Sequence, residues 1–370
     1  MLCKFSKLFK DPQIQTPAVT ENFADYISDW KKIITNTRLE STQKIIENNA
    51  PFEIRPEQST QIGVLLIHGL LDSCFIMKEI AEQLTPAKFL IRAVLLPGHG
   101  TVPGALLHIQ YEDWLQTVRQ GIASLAKEVD KIFLIGFSTG ASAAIYETLK
   151  NDHKITGIIA FAPALKIKSP FAGLAKWLPL FGKKWMSINE ELDYVKYSSI
   201  PYQAVWQVHE LGKKVTAALQ KKPLNCPSLT IVSRDDEIIS SSTCLDYFHR
   251  DPHPQSQMIY YANSAVHVDD DRILIRHSSD PEQHILNFSH VCLTVSEDNF
   301  HYGKNGDYPL ASHIDEDKQA DFGAFNTLET KLYDQLYQWK LTKRQHQRLT
   351  FNPDFAFTMQ KICEFIDTMS

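Results

Sequence analysis

Lys131 to Gly140 reads KIFLIGFSTG, and no other stretch limits the fold as strongly. Ile132, Phe133, Leu134 and Ile135 form the short apolar run expected of a parallel strand buried on both faces. The run passes directly into Gly136-Phe137-Ser138-Thr139-Gly140, a G-x-S-x-G pattern. Ala141, Ala143, Ala144, Ile145 and Leu149 then predict a helix whose first turn carries small side chains. Strand, G-x-S-x-G and helix together define a nucleophile elbow. The turn is too tight for a neighbouring Cβ, which is why glycine flanks it. It lifts the Ser138 hydroxyl above the sheet, at a helix N-terminus that favours developing negative charge.

The rest of the chain repeats this strand–helix rhythm. Gly63–Ile67 (GVLLI) is a second buried strand, ending in His68-Gly69-Leu70-Leu71-Asp72-Ser73. Ile76–Leu84 reads as a helix, Phe89–Leu96 as a strand closed by Pro97-Gly98-His99-Gly100, and Tyr111, Trp114, Val118, Ile122 and Leu125 as the inner face of a helix. Ile155–Phe161 and Leu229–Val232 are further strands. Repeated units of this length mean a mostly parallel sheet covered by helices, with ligands bound beyond the carboxyl ends of its strands. Phe23, Ile27, Trp30 and Ile34 share one helical face upstream, and a short strand is expected near Pro51–Ile54.

Composition narrows the class. The chain has 370 residues, 44% of them hydrophobic, enough for a large core. A net charge of −5 without a dominant basic cluster argues against a nucleic-acid partner. Six scattered cysteines without C-x-x-C spacing argue against a zinc site or disulfide framework and fit a reducing compartment. No stretch reaches the roughly 20 apolar residues of a membrane span, and no signal-peptide core is seen. The expectation is a cytoplasmic protein. Its N-terminus, where Met1, Leu2, Phe5, Leu8 and Phe9 alternate with Lys4, Lys7 and Lys10, could touch an anionic membrane surface, although a frayed terminus is the simpler reading.

Residues 165–222 break the rhythm. Phe171, Leu174, Trp177, Leu178, Leu180, Phe181 and Trp185 form an apolar stretch edged by Lys176, Lys183 and Lys184. Ala204, Val205, Val208, Leu211, Val215 and Leu219 mark a longer amphipathic helix. The segment reads as an inserted helical lid whose apolar face lines an acyl pocket or meets a lipid surface, with an ordinary helical subdomain packed on the sheet as the alternative. Chemistry then needs a base and an acid for Ser138. Asp235 and Asp236 both follow the strand at 229–232, where a carboxylate can orient an imidazole. Backbone N–H groups of Leu70 and Thr139 are the candidate oxyanion donors. His68 precedes the elbow and is assigned a structural role.

Four ordered segments carry a resemblance: LLIHGLLDS from Leu65, LPGHG from Leu96, GFSTG from Gly136 and RDDEII from Arg234, with YEDW from Tyr111 and the helix after Asn352-Pro353. The chain resembles the α/β-hydrolases of carboxylesterase and monoacylglycerol-lipase type, most closely over residues 60–240. The resemblance implies a serine hydrolase cleaving carboxylic or lipid esters through an acyl-enzyme, without metal or cofactor. Acyl transfer, thioester cleavage and non-catalytic binding remain alternatives on the same fold. The family's D-x-hydrophobic-hydrophobic pattern favours Asp236, followed by Glu237-Ile238-Ile239. The family's base follows the acid by about 30 residues, which suits His267 after the strand Met258–Ala262. His290, in Phe288-Ser289-His290-Val291 after a predicted strand Ile285–Phe288, looks more like the family's histidine segment and is the preferred base. The implied layout is a helical extension over 1–60, core over 61–164, lid over 165–222, and core over 223–370 with a loop or hairpin insertion at about 264–284. Asp269–Asp271 lack the spacing of a calcium loop. Leu328, Leu332, Leu336 and Trp339 predict another helix, and Phe355, Met359, Ile362, Ile366 and Met369 a terminal one.

Overall fold

Apolar runs become strands buried on both faces. In the computed structural model, which describes residues 7–20, 22–150, 155–169, 172–308, 320–324 and 345–369, these are β2 (Ile62–Ile67), β3 (Leu90–Val94), β4 (Lys131–Phe137), β5 (Ile155–Phe161), β8 (Ser228–Ser233) and β9 (Gln257–Ala262). With β1 (Phe52–Ile54) and β10 (Ile273–His277) they form an eight-stranded sheet in the order β1-β3-β2-β4-β5-β8-β9-β10. Only β1 runs antiparallel to its neighbour. The parallel direction brings the carboxyl ends of β2, β4 and β8 to one edge, where the connecting loops carry polar side chains.

Helices cover the sheet through the predicted stripes. On α1 (Phe23–Thr37) Phe23, Tyr26, Trp30 and Ile34 are buried, and the Tyr26 hydroxyl donates to Leu95 O at 3.1 Å. α2 (Gln43–Asn49) follows, capped by Thr42, whose hydroxyl accepts from Ile45 N. α3 is Lys78–Leu84. On α4 (Tyr111–Leu125) Trp114, Val118, Ile122 and Leu125 face inward, and Asp113 accepts from Gln110 N at 2.9 Å to close its first turn. α5 (Thr139–Lys150) follows the elbow. α8 (Phe355–Met369) buries Phe355, Met359, Ile362, Phe365 and Ile366 and packs on β5. Arg92, buried within β3, is held by Glu53 and Glu128 and lies 4.9 Å from the centre of the Phe23 ring.

Between β5 and β8 the chain makes short 3-10 turns, an antiparallel pair β6 (Trp185–Ser187) and β7 (Ile200–Pro201), and the long α6 (Tyr202–Lys221). α6 packs on α5, and Gly212 lets it approach the segment after β5: a Cβ there would sit 2.7 Å from the carbonyl oxygens of Ala164 and Leu165. Trp177, Phe181, Ile188 and Leu192 are exposed.

The region after β9 differs in two respects from the sequence expectation. Within residues 264–284, Ile273–His277 adds a parallel edge strand, held by β9 through an even register. Its Leu274 and Ile275 are exposed, so its pattern resembles a surface segment more than a core strand. The predicted strand over Ile285–Phe288 is reduced to bridges from Ile285 to Asp280 and Phe322. α7 (Ser241–Phe248) precedes β9, and β11 (Ala320–Gly323) pairs in parallel with β12 (Gln345–Arg348). The helix expected around Leu328–Trp339 lies outside the described residues.

Candidate active site

Ser138 sits at the end of β4 with φ of 52°, a left-handed conformation that costs a non-glycine residue energy. The chain holds it there by hydrogen bonds from Ser138 N to Phe161 O at 2.8 Å and from Ser142 N to Ser138 O at 3.1 Å. The flanking glycines are required by close approach. A Cβ on Gly136 would meet Ala141 N at 2.5 Å, and one on Gly140 would meet Ile67 O at 2.3 Å and His68 O at 2.5 Å. The second contact also shows that the start of α5 lies against the end of β2.

That juxtaposition brings the loop after β2 to the elbow. Of the two candidate oxyanion residues, Leu70 follows the touching His68 by two residues and Thr139 immediately precedes the touching Gly140. Among the described residues, neither backbone N–H donates to a protein acceptor. His68 is fully buried and links two strand ends: Leu96 N donates to its Nε2 at 3.0 Å, so its Nδ1 carries the proton given to Gly69 O at 2.8 Å. Burial pushes its pKa down to about 4, so the ring is neutral. The ring of His99 lies 4.9 Å away, with its pKa lowered by burial to about 3.

Asp236 follows β8 and is completely buried. Its Oδ1 accepts from Ile238 N and Ile239 N, both at 2.8 Å, which fixes the carboxylate and turns Oδ2 outward. Oδ2 lies 2.6 Å from His290 Nδ1, and His290 Nε2 lies 2.9 Å from Ser138 Oγ. Side chains from the ends of β4 and β8 and from the loop at residues 288–291 thus form one continuous line. The carboxylate dictates Nδ1–H, leaving Nε2 as acceptor for the hydroxyl proton. The Phe137 ring lies 5.0 Å from the imidazole. Ser138 and His290 are only 7% and 5% exposed, so both side chains are nearly covered.

The other candidates lie elsewhere. His267 is exposed in the turn between β9 and β10. Asp235 is half-buried with its pKa raised by burial, and its backbone N–H donates to Ser233 Oγ at 3.3 Å. Several residues that shape the site had no local signal. Glu237 Oε2 accepts from His290 N at 2.9 Å, and Ser233 Oγ donates to Phe288 O at 2.7 Å. The Lys168 ammonium donates to Asp236 O. Lys196 Nζ lies 2.8 Å from buried Asp72 beside Gly69, and Tyr197 N donates to Leu71 O at 2.9 Å. The segment before β7 therefore braces the loop that carries Leu70. These partners come from distant parts of the chain, and only the fold brings them together.

The fold is the α/β-hydrolase fold, and part of the chain is similar in sequence to a monoacylglycerol lipase. A family profile described as serine aminopeptidase, S33, matches residues 58–195. A thermostable monoacylglycerol lipase from Bacillus sp. (strain H-257) is 28% identical over 185 residues, covering 48% of this chain and 72% of that one. Among solved structures, one from a study of LipS and LipT, two metagenome-derived lipolytic enzymes, superposes with a TM-score of 0.52 at 22% identity, over 58% of this chain and 87% of that chain. A monoacylglycerol lipase from Paleococcus ferrophilus gives a TM-score of 0.48 at 23% identity, over 57% and 88% of the two chains.

Proposed function

We propose that the protein hydrolyses carboxylic esters with an apolar acyl group, monoacylglycerols among them, through an acyl-enzyme on Ser138. The observation that carries this reading is the 2.9 Å approach of His290 Nε2 to Ser138 Oγ together with the 2.6 Å approach of Nδ1 to Asp236. His290 takes the hydroxyl proton as Ser138 Oγ attacks the acyl carbon. Asp236 steadies the imidazolium, and the N–H groups of Leu70 and Thr139 receive the oxyanion. The imidazolium then gives its proton to the departing alcohol. Water, activated by the same ring, releases the acid.

The test is a panel of p-nitrophenyl esters, monoacylglycerols and an amino-acid p-nitroanilide, the last because of the aminopeptidase profile. Ester and monoacylglycerol turnover should exceed anilide turnover and vanish in Ser138→Ala and His290→Ala, while His267→Ala keeps it. Activity retained in Ser138→Ala rejects the nucleophile.

The exposed Trp177, Phe181, Ile188 and Leu192, with Lys176, Lys183 and Lys184 close by in sequence, form the surface that meets a lipid substrate in this reading. The segment acts as a lid over the nearly covered serine. Trp177→Asp with Phe181→Asp should weaken co-sedimentation with anionic vesicles and raise KM for monoacylglycerol, with p-nitrophenyl acetate turnover unchanged. Unaltered vesicle binding contradicts this surface.

A further inference from the structure

Two charged groups outside the Ser138–His290–Asp236 line converge on the loop that carries His290. The Glu237 side chain is only 4% exposed. One of its oxygens accepts the backbone N–H of His290 at 2.9 Å, and the other lies 3.0 Å from Arg348 Nε. Arg348 ends β12, and the next residue, Leu349, accepts from the Ser289 hydroxyl at 2.6 Å. The residue before the histidine and the histidine itself are therefore both tied down, one to β12 directly and one through Glu237. A buried carboxylate is stable only when paired and hydrogen-bonded. Arg348 supplies that pairing across a long stretch of chain.

We propose that Glu237 and Arg348 are positioning residues for the base: Glu237 fixes the His290 loop and favours the imidazolium, and Arg348 limits how far it does so. This rests on the reading of His290 as the base. The ring gains positive charge as it accepts the Ser138 proton, and a buried anion one hydrogen bond from its own backbone favours that charge. The Arg348 guanidinium on the far side of the carboxylate opposes it. Among the described residues, other charged and titratable groups also face the loop. Asp236 faces Nδ1 and is common to every variant below. Lys168 binds the Asp236 carbonyl, and Arg234 and Lys168 flank Asp235. The Cys292 and Cys244 thiols are pushed up by burial and stay neutral, as does the Tyr308 hydroxyl, which feels Arg348.

The test is the pH profile of kcat/KM on a p-nitrophenyl ester. Glu237→Gln keeps an acceptor for the His290 N–H but removes the negative charge. Its acid limb should move down by about half a pH unit or more, with the plateau within about threefold of wild type. Arg348→Gln keeps an amide donor for the carboxylate but removes the positive charge, and its limb should move up. Arg348→Asn serves the same purpose if the glutamine variant does not fold. Glu237→Ala, which loses the acceptor, should lower kcat by about tenfold or more with little change in KM. A purely structural brace would lower activity without displacing the limbs in opposite directions. Any other pattern, including an unmoved limb in either charge variant, overturns the proposal. Activity surviving in His290→Ala instead removes the reading on which it rests.

Discussion

Gly140→Ala isolates the steric demand at the elbow. The added Cβ would lie 2.3 Å from Ile67 O and 2.5 Å from His68 O, both backbone atoms at the end of β2. Ordinary contact begins at 3.4 Å, so the start of α5 and the end of β2 must separate by ~1 Å. A flexible side chain cannot absorb this, because Ile67 is paired on both sides, with Val94 of β3 and Gly136 of β4. Overpacking of this kind costs about 1–3 kcal/mol of stability. The displaced segments lead directly to Leu70 and Thr139, and a misplacement of about 1 Å costs on the order of a hundredfold in rate. Steady-state kinetics on a p-nitrophenyl ester should therefore show kcat/KM down about a hundredfold, and urea unfolding should show the stability loss. Gly182→Ala is the control for alanine in an open site: a Cβ there meets nothing within 4 Å, although its φ of 80° adds local strain. Wild-type kinetics in Gly140→Ala would refute the claim that this contact sets the site's geometry.

Other predictions follow from the same atoms. Asp236→Asn should lower kcat by roughly a thousandfold to ten-thousandfold, because the amide no longer dictates the Nδ1–H tautomer; a loss below tenfold would exclude the orienting role. His68 is held at about 4 in the folded state against about 6.5 when unfolded, so the unfolded chain binds the extra proton as pH falls between those values. Its stabilisation is complete above about pH 6.5 and is lost towards pH 4, and acidification from pH 8 to 5 should cost about 2 kcal/mol from this residue. His99, depressed in the same direction, adds to the trend. The urea midpoint should drop accordingly, and His68→Asn should flatten the dependence; an unchanged slope would contradict it. His301 is fully buried between Asp307, 2.5 Å from Nδ1, and Asp193, 3.1 Å from Nε2. His301→Leu takes one partner from the buried Asp193, which keeps the Val195 N–H and the Tyr302 hydroxyl, and should cost about 1–3 kcal/mol in urea unfolding, with an unchanged midpoint contradicting the contact.

The central sheet was legible because its strands are buried on both faces. GVLLI, IFLIGF and GIIAF are continuously apolar, and no surface element needs that pattern. β10 was not legible, since an edge strand with exposed Leu274 and Ile275 has no such requirement. Ser138 and its glycines were readable from local sterics alone. The pattern Asp236-Glu237-Ile238-Ile239 favoured Asp236 over Asp235 and the segment Phe288-Ser289-His290-Val291 favoured His290, but spacing alone suited His267, because the position of the histidine depends on where β10 and the following loop carry the chain. The structure sets Asp236 and His290 against Ser138 and leaves His267 exposed in a turn. Glu237 and Arg348 left no trace in the sequence: one is the unspecified position after an aspartate, the other a lone arginine far downstream.

Mass spectrometry of the protein after reaction with a fluorophosphonate probes the central claim, that the His290 ring activates the Ser138 hydroxyl. The account predicts a single adduct on the peptide containing Ser138, with the labelling rate falling by orders of magnitude in His290→Ala and no adduct in Ser138→Ala. A covalent adduct on a different residue, or labelling of Ser138 at an undiminished rate in His290→Ala, would contradict it.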